Sequence, residues 1–302
     1  MAMHFLTPSR FHNTLGSHEP VLLVADGDTV SAKTVDAHGC DWRGEQVATR
    51  PNPQTGPFYV EGAEPGDTLS VRFDCLTPIR DWGFTSSILA PDVVEPRFAR
   101  QLPGREWIRW QIDTARGTAA QETHGGSLGI FTVPIESMVG CFGVAPSGGQ
   151  AISAATSGPH GGNMDYRGFR EGVTAYLPVS VPGALFFIGD GHAVQGDGEI
   201  VGTGVETAFE MQFTVRVMKS KQINWPRGED DDFLFTIGNA RPLEQALQHA
   251  TTEMVGWLHD DYGLDLHAAS LLLGQCVRYE IGNVYDPAYT VACRIAKRWL
   301  HP

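Results

Sequence analysis

The sequence predicts a mainly β fold, sandwich- or barrel-like, with a few helices that include a helical hairpin near the C-terminus. Three observations predict it. The 302 residues include 35 glycines and 19 prolines, which suits many turns between short strands. Two early segments, DGDTVSAKTVDA (26–37) and PGDTLSVRFDCL (65–76), each read as a turn followed by an alternating run. Helical spacing of apolar residues comes near the C-terminal end, after residue 241.

The elements follow in order. Gly27 and Gly66 suit turn positions with positive φ, and the alternation after each reads as a half-buried strand. The two units are either a duplication or two ordinary hairpins. Trp82, Trp107 and Trp110 mark packed surface in residues 77–125. Pro78, Pro91, Pro96 and Pro103 interrupt that segment, which predicts a long excursion with little regular structure. LGIFTVPI (128–135), VTAYLPVSV (173–181) and GALFFIGD (183–190) read as strands, the last two joined at Pro182-Gly183. Residues 199–219 read as one long strand region, bent at Gly202 and Gly204. In 241–263, apolar residues at 243, 247, 250, 254 and 257 or 258 predict a helix, with Pro242 in its first turn and Gly263 at its stop. A second helix runs from a cap at Asp265 to Gly274, and CVRYEIG is a further strand. The acidic run GEDDD (228–232) reads as a solvated turn.

Composition narrows the function classes. At 42% hydrophobic and 19% charged the chain is globular. A net charge of -13 repels nucleic-acid backbones and anionic membranes, so neither is an expected partner. Five scattered cysteines lack C-x-x-C spacing and suggest neither a disulfide framework nor a thiolate zinc site. There is no signal-peptide pattern and no apolar run of the ~20 residues that span a bilayer, so a cytoplasmic setting is expected. The apolar faces of the C-terminal helices suit either core or the interface of a homo-oligomer.

Chemistry concentrates in two glycine-rich stretches. In GDGHAVQGDGE (189–199), Asp190 and His192 lie two apart at a strand end and point the same way if extension continues. A carboxylate beside an imidazole is a two-point chelate for a divalent cation. SGPHGGNMDYRG (157–168) adds His160, Asp165 and the neutral amide of Asn163. The expected direct ligands are Asp165, Asp190 and His192, with His160 or Glu206 next. The plainer reading makes the Gly-Asp-Gly strings turns in which Asp bonds its own backbone. An EF-hand is excluded, because the loop positions one, three and five from Asp190 hold Asp190, His192 and Val194. Glu199 and Glu206 are seven apart and share a face only if a bulge intervenes. Glu199, directly after the glycine loop, is preferred as the catalytic carboxylate.

Two rival nucleophiles are weaker. GGSLG (125–129) matches G-x-S-x-G, but its strand-like run follows the serine instead of preceding it. Cys141 in VGCFGVAP has apolar neighbours and no adjacent base.

Taken together, GPFYVEGAEPGDTLSV, GVAPSGG, GPHGGNMDYRG and LPVSVPGALFFIGDGHAVQGDGEIVGTGVE resemble the acetamidase/formamidase family, from about residue 12 into the C-terminal region. The most specific matches are GGNMD and GDGHAVQGDGE, in the same order. The N-terminal part matches more loosely and residues 80–125 depart from the pattern, which points to that region as a shaper of the substrate pocket. The resemblance implies one domain over 1–302, with β-rich subdomains of about 1–125 and 126–302 as the alternative. It implies a β-rich fold, a bound divalent metal and hydrolysis of short aliphatic amides to acid and ammonia. Matching positions are Asn163, Asp165, Asp190, His192, Gln195, Glu199 and Glu206. On this reading Asp165, Asp190, His192 and Glu206 hold the metal, Glu199 and Asn163 are catalytic, and Gln195 and His160 bind substrate. His192 favours zinc, and the carboxylates leave calcium as the alternative. Lactam or other cyclic-amide hydrolysis, and a non-catalytic β-rich metal-binding module, are the competing functions.

Overall fold

A computed structural model describes residues 1–122 and 126–300. Two large open sheets face each other. The nine-stranded sheet runs in the order 3–6, 29–33, 209–218, 68–78, 174–178, 227–229, 233–240, 289–296 and 278–281. The six-stranded sheet runs 157–158, 161–163, 138–144, 186–192, 55–60 and 22–24. Neither closes into a barrel, and both mix strands from the two halves of the chain.

The twin turn-strand segments become Thr29–Lys33 and Thr68–Pro78. They flank Phe209–Met218 on its two edges, both antiparallel to it. Alternation puts one face of each strand into the core between the sheets, where Phe213 meets Phe58 and Phe186 of the facing sheet, each at 5.2 Å. Phe73 meets Phe142 across the same interface at 5.1 Å. Buried aromatic pairs of this kind account for much of the area removed from water.

The helical hairpin forms as Leu243–Tyr262 and Leu266–Cys276. Gly263 closes the first helix at φ 67, and Asp265 caps the second by accepting from the Ala268 amide. Their apolar stripe, with Met254, Trp257 and Leu258, packs on Leu234 and Ile295 of the nine-stranded sheet. No described helix is long and apolar enough to cross a membrane. Of GEDDD, Gly228 and Glu229 end the strand Arg227–Glu229 and only Asp230, Asp231 and Asp232 make the turn to Phe233–Ala240, with Asp230 accepting from the amides of Asp232 and Phe233.

Two expectations are corrected. Residues 77–122 are more regular than expected: Trp82–Ser86, Trp107–Asp113 and Thr118–Gln121 join Thr132–Pro134 in a four-stranded sheet, while 87–106 carry only the short helical turns Pro91–Val93 and Pro96–Ala99. Pro91, Pro96 and Pro103 fall in the connection between its first two strands, where they interrupt nothing. Nor is 199–219 one long strand. Glu199 (φ 45) and Gly202 (φ 73) turn the chain, and the strand begins only at Phe209.

Candidate functional site

The site forms at one end of the six-stranded sheet. Cys141, on its central strand, pairs with Asn163 on one side and Gly189 on the other. The chain runs on from Asn163 to Asp165 and from Gly189 to Asp190 and His192, so both glycine-rich motifs end beside Gly140. Only a glycine lets them meet there. A Cβ at 140 would stand 2.6 Å from Asp165 Oδ1 and 2.9 Å from Asp190 Oδ2. An antiparallel bridge to His192 brings in Glu206. Asn52, Asp165, Asp190 and Glu199 all have positive φ, four of the seven such non-glycine residues described. Asn and Asp tolerate that region, whereas for Glu199 it is strained backbone held by its surroundings.

The ligand atoms fall into overlapping groups. Asp165, Asp190 and His192 offer atoms within 4.8 Å of one another, and so do His192, Glu199 and Glu206, and Asp165, Glu199 and Asp286. His192 Nε2 lies 3.0 Å from Glu206 Oε1 and 3.4 Å from Asp190 Oδ1. Its Nδ1 lies 2.8 Å from Gln195 Oε1. Gln195 Nε2 donates to the carbonyls of Asp165 (2.6 Å) and Gly282 (3.3 Å), which fixes its oxygen toward the imidazole. In the neutral ring His192 Nδ1 is then the donor, and Nε2 turns a lone pair on the carboxylates. Both ends of the Gln195 amide are thus engaged inside the protein.

A set of amides holds the carboxylates apart. Asn52 Nδ2 donates to Asp190 Oδ2 at 2.9 Å and to Asn163 Oδ1. Asn163 Nδ2 donates to Asp165 Oδ2 at 2.8 Å and to Asp286. Asn283 Nδ2 reaches Asp165 Oδ2 at 3.1 Å and Asp286 Oδ2 at 3.2 Å. Asn52, Asn283 and Asp286 were not anticipated from the sequence. Their signals were an Asn between two prolines (Pro51, Pro53) and an Asn-x-x-Asp turn before Pro287.

Four buried carboxyl groups and the part-buried Asp286 crowd around one imidazole. Burial, then Glu199 and Asp286, holds Asp165 well above the usual carboxylate range. Burial and Asp286 do the same to Glu199. Burial pushes Glu206 up to about 8, against the pull of His192. Asp286 is pushed up to about 6 by burial. For Asp190, burial is outweighed by His192 and Asn52, and its carboxyl stays low. For His192, burial is outweighed by Glu206 and Asp190, so its protonation is strongly favoured. Asp165 Oδ1, Asp190 Oδ1, His192 Nε2 and Glu206 Oε2 are buried with no hydrogen-bond partner. Unpartnered acceptors in a low-dielectric pocket are costly. A divalent cation held by Asp165, Asp190 and His192, with Glu206 beside the imidazole, would relieve these orphaned atoms, so the residues present fit a metal.

His160 lies apart from this cluster. It sits on the turn before Gly161–Asn163, its ring beside Gly158 and Gly162, and burial lowers its pKa to about 4. Ser127 is exposed on a single 3-10 turn ahead of a strand, and Gly125 of GGSLG lies outside the described residues. Cys141 is fully buried, faces the Ala154 carbonyl, and burial raises its thiol pKa well above normal.

The model of the Acetamidase/Formamidase family matches residues 144–284. The chain is similar to a crystallised acetamidase from Yersinia enterocolitica, at 31% identity and TM-score 0.85, covering 99% of this chain and 93% of that one. It is similar to the formamidase of Methylophilus methylotrophus, at 26% identity over 70% of this chain and 64% of that protein. A γ-lactamase from Delftia acidovorans, at 20% identity and TM-score 0.60 over 97% of this chain and 90% of that one, shares the fold. The chain spans about three fifths of the length of the curated relatives it matches.

Proposed function

The chain belongs to the acetamidase/formamidase family, and from that premise we propose that it hydrolyses short aliphatic amides of the formamide and acetamide type to carboxylate and ammonia. Asp165, Asp190, His192 and Glu206 would hold a divalent metal, with zinc favoured by the imidazole and calcium the alternative for so many carboxylates. The observation that carries the reading is the buried group of Asp165, Asp190 and His192, whose ligand atoms lie within 4.8 Å of one another and which leaves Asp165 Oδ1, Asp190 Oδ1 and His192 Nε2 without hydrogen-bond partners, with Glu206 beside His192.

When bound, the metal polarises the amide carbonyl and supplies a water activated at neutral pH. The chain's own residues do the rest. Gln195 fixes the His192 tautomer, so that Nε2 faces the cation. Asn52 and Asn163 hold Asp190 and Asp165 in register. Glu199 is 6% exposed, its backbone is held by hydrogen bonds to Gly196 and Gly202, and its carboxyl pKa is raised by burial and by Asp286, which suits it to carry a proton. It takes the proton of the attacking water and delivers it to the departing nitrogen as the C–N bond breaks. Asn163, expected to be catalytic, already gives its N–H groups to Asp165 and Asp286, so we assign it a positioning role.

The test is ammonia release from formamide, acetamide, propionamide, benzamide and a γ-lactam. It is run before and after chelation, with zinc, manganese and calcium restored in turn. Turnover on the short amides that returns with metal supports the reading. No ammonia from any amide by the metal-loaded protein sinks it.

A further inference from the structure

One row of side chains runs from the strand of His192, across the bridge residue Glu206, to the strand of Phe84. His192 bridges to Glu206, and Glu206 bridges to Phe84, both antiparallel. Residues directly opposite in an antiparallel pair project from the same face, ~4.5–5.5 Å apart. The Phe84 side chain therefore leaves the backbone on the face that carries the Glu206 carboxylate and the His192 imidazole. Its register is fixed by two hydrogen bonds, Phe84 N to Glu206 O at 3.1 Å and Glu206 N to Phe84 O at 3.0 Å. Gly83 permits the approach, since a Cβ there would stand 2.6 Å from the Glu206 carbonyl oxygen.

The Phe84 ring is held on two sides. His38 stacks on it, with centroids 4.3 Å apart and planes 19° apart. Trp107, opposite Ser86 on the neighbouring strand, meets Phe84 edge-on at 5.5 Å and His38 at 4.8 Å. Arg105, two residues before Trp107, bonds the hydroxyl of Tyr285, the residue before Asp286. The segment carrying Trp107 is thus tied to the loop that carries a cluster carboxylate. Trp107 is half exposed, whereas Glu206 and His192 are enclosed. The three rings therefore run from solvent to the edge of the cluster. They stack and brace one another, so they form a packed wall and not an open slot between aromatic faces.

We propose that Phe84, braced by His38 and Trp107, sets the size of acyl group that the site accepts and confines it to one or two carbons. This rests on the amide-hydrolysis reading and specifies its substrate. An amide whose carbonyl carbon lies within reach of Glu199 must place its acyl substituent among the groups that border the cluster. On the Glu206 side that border is Phe84. A longer acyl chain meets the ring, and the ring cannot swing aside without breaking both the His38 stack and the Trp107 contact. A methylene that a pocket can or cannot seat changes kcat/KM by roughly 10–200-fold.

The experiment measures kcat/KM for formamide, acetamide, propionamide, butyramide and benzamide with metal-loaded wild type, Phe84→Ala, Phe84→Leu and Trp107→Ala. The readout is the ratio of butyramide to acetamide, which a loss of folded protein would not move. In the wild type, kcat/KM falls beyond acetamide. The ratio rises about tenfold or more in Phe84→Ala, and by less in Phe84→Leu and Trp107→Ala. An unchanged ratio in both Phe84 variants overturns the wall. So does a wild type that prefers butyramide or benzamide. No ammonia from any amide by wild type overturns the amidohydrolase reading itself, and that outcome is distinct from turnover with an unaltered acyl profile.

Discussion

Gly140→Ala tests how closely the two motif loops must approach. Gly140 has no positive φ, so alanine costs its backbone nothing there. The added methyl instead meets the cluster, 2.6 Å from Asp165 Oδ1, 2.9 Å from Asp190 Oδ2 and 3.0 Å from Asp190 O. An ordinary carbon–oxygen contact is about 3.3 Å, so Asp165 must retreat by about 0.7 Å and Asp190 by about 0.4 Å. Asp165 and Asp190 are the expected ligands, and both are displaced from their present positions by the same methyl. A misplacement of about 1 Å costs on the order of 100-fold in rate, and disturbing a ligand's support costs about 10–100-fold in metal affinity. The assay is competition for zinc against a chromogenic chelator, beside acetamide kinetics and circular dichroism. The expected result is a native spectrum with zinc held at least tenfold more weakly and kcat/KM down by about 100-fold. A variant with native zinc affinity and a rate within twofold of wild type would refute the reasoning, because the loops would then have room to spare.

Glu199→Gln keeps shape but cannot carry the proton, so kcat falls about 10²–10⁴-fold with metal content unchanged, as metal analysis beside kinetics will show. The metal-free protein loses thermal stability as pH rises from about 5 to 8. Glu206, raised to about 8, and Asp286, raised to about 6, bind more protons folded than unfolded across that window, as does His192 above its ordinary pKa, so deprotonation favours the unfolded chain. Saturating zinc removes most of that slope, and melting curves at several pH values with and without zinc check both statements. Phe213→Ala leaves a void between the sheets where Phe213 touches Phe58 and Phe186, and urea denaturation should show a loss of about 3–5 kcal/mol.

The site was more legible than the fold that carries it. Asp165, Asp190, His192, Glu199 and Glu206 were all marked by their glycine-rich settings, and the structure brings them together. Glycine density was informative because a crowded acidic cluster needs backbone where side chains would collide, as at Gly140. Asp286, Asn52 and Asn283 were missed because each is a single polar residue in a turn, and turns are full of Asn and Asp for local reasons. For Glu199 and Glu206, the break that spacing required before both could face one site does occur. Strand geometry would set them on opposite faces, but Glu199 at φ 45 is not in a strand, and both side chains reach His192. In the fold, the proline rule failed for 77–122 because Pro91, Pro96 and Pro103 all lie in the connection between two strands. Trp82–Ser86 and Trp107–Asp113 contain none. Alternation found the strands 174–178 and 186–192 but could not assign them to different sheets, since sheet membership depends on long-range pairing.

The central claim is that the buried cluster holds a divalent cation on which amide hydrolysis depends. The most direct measurement is elemental analysis of the purified protein beside His192→Ala and Asp190→Asn, with acetamide turnover followed on the same samples before and after exhaustive chelation. The account predicts stoichiometric metal in the wild type, metal and activity lost together in both variants, and turnover restored to the chelated wild type by zinc. Undiminished acetamide hydrolysis by wild-type protein free of metal would contradict it.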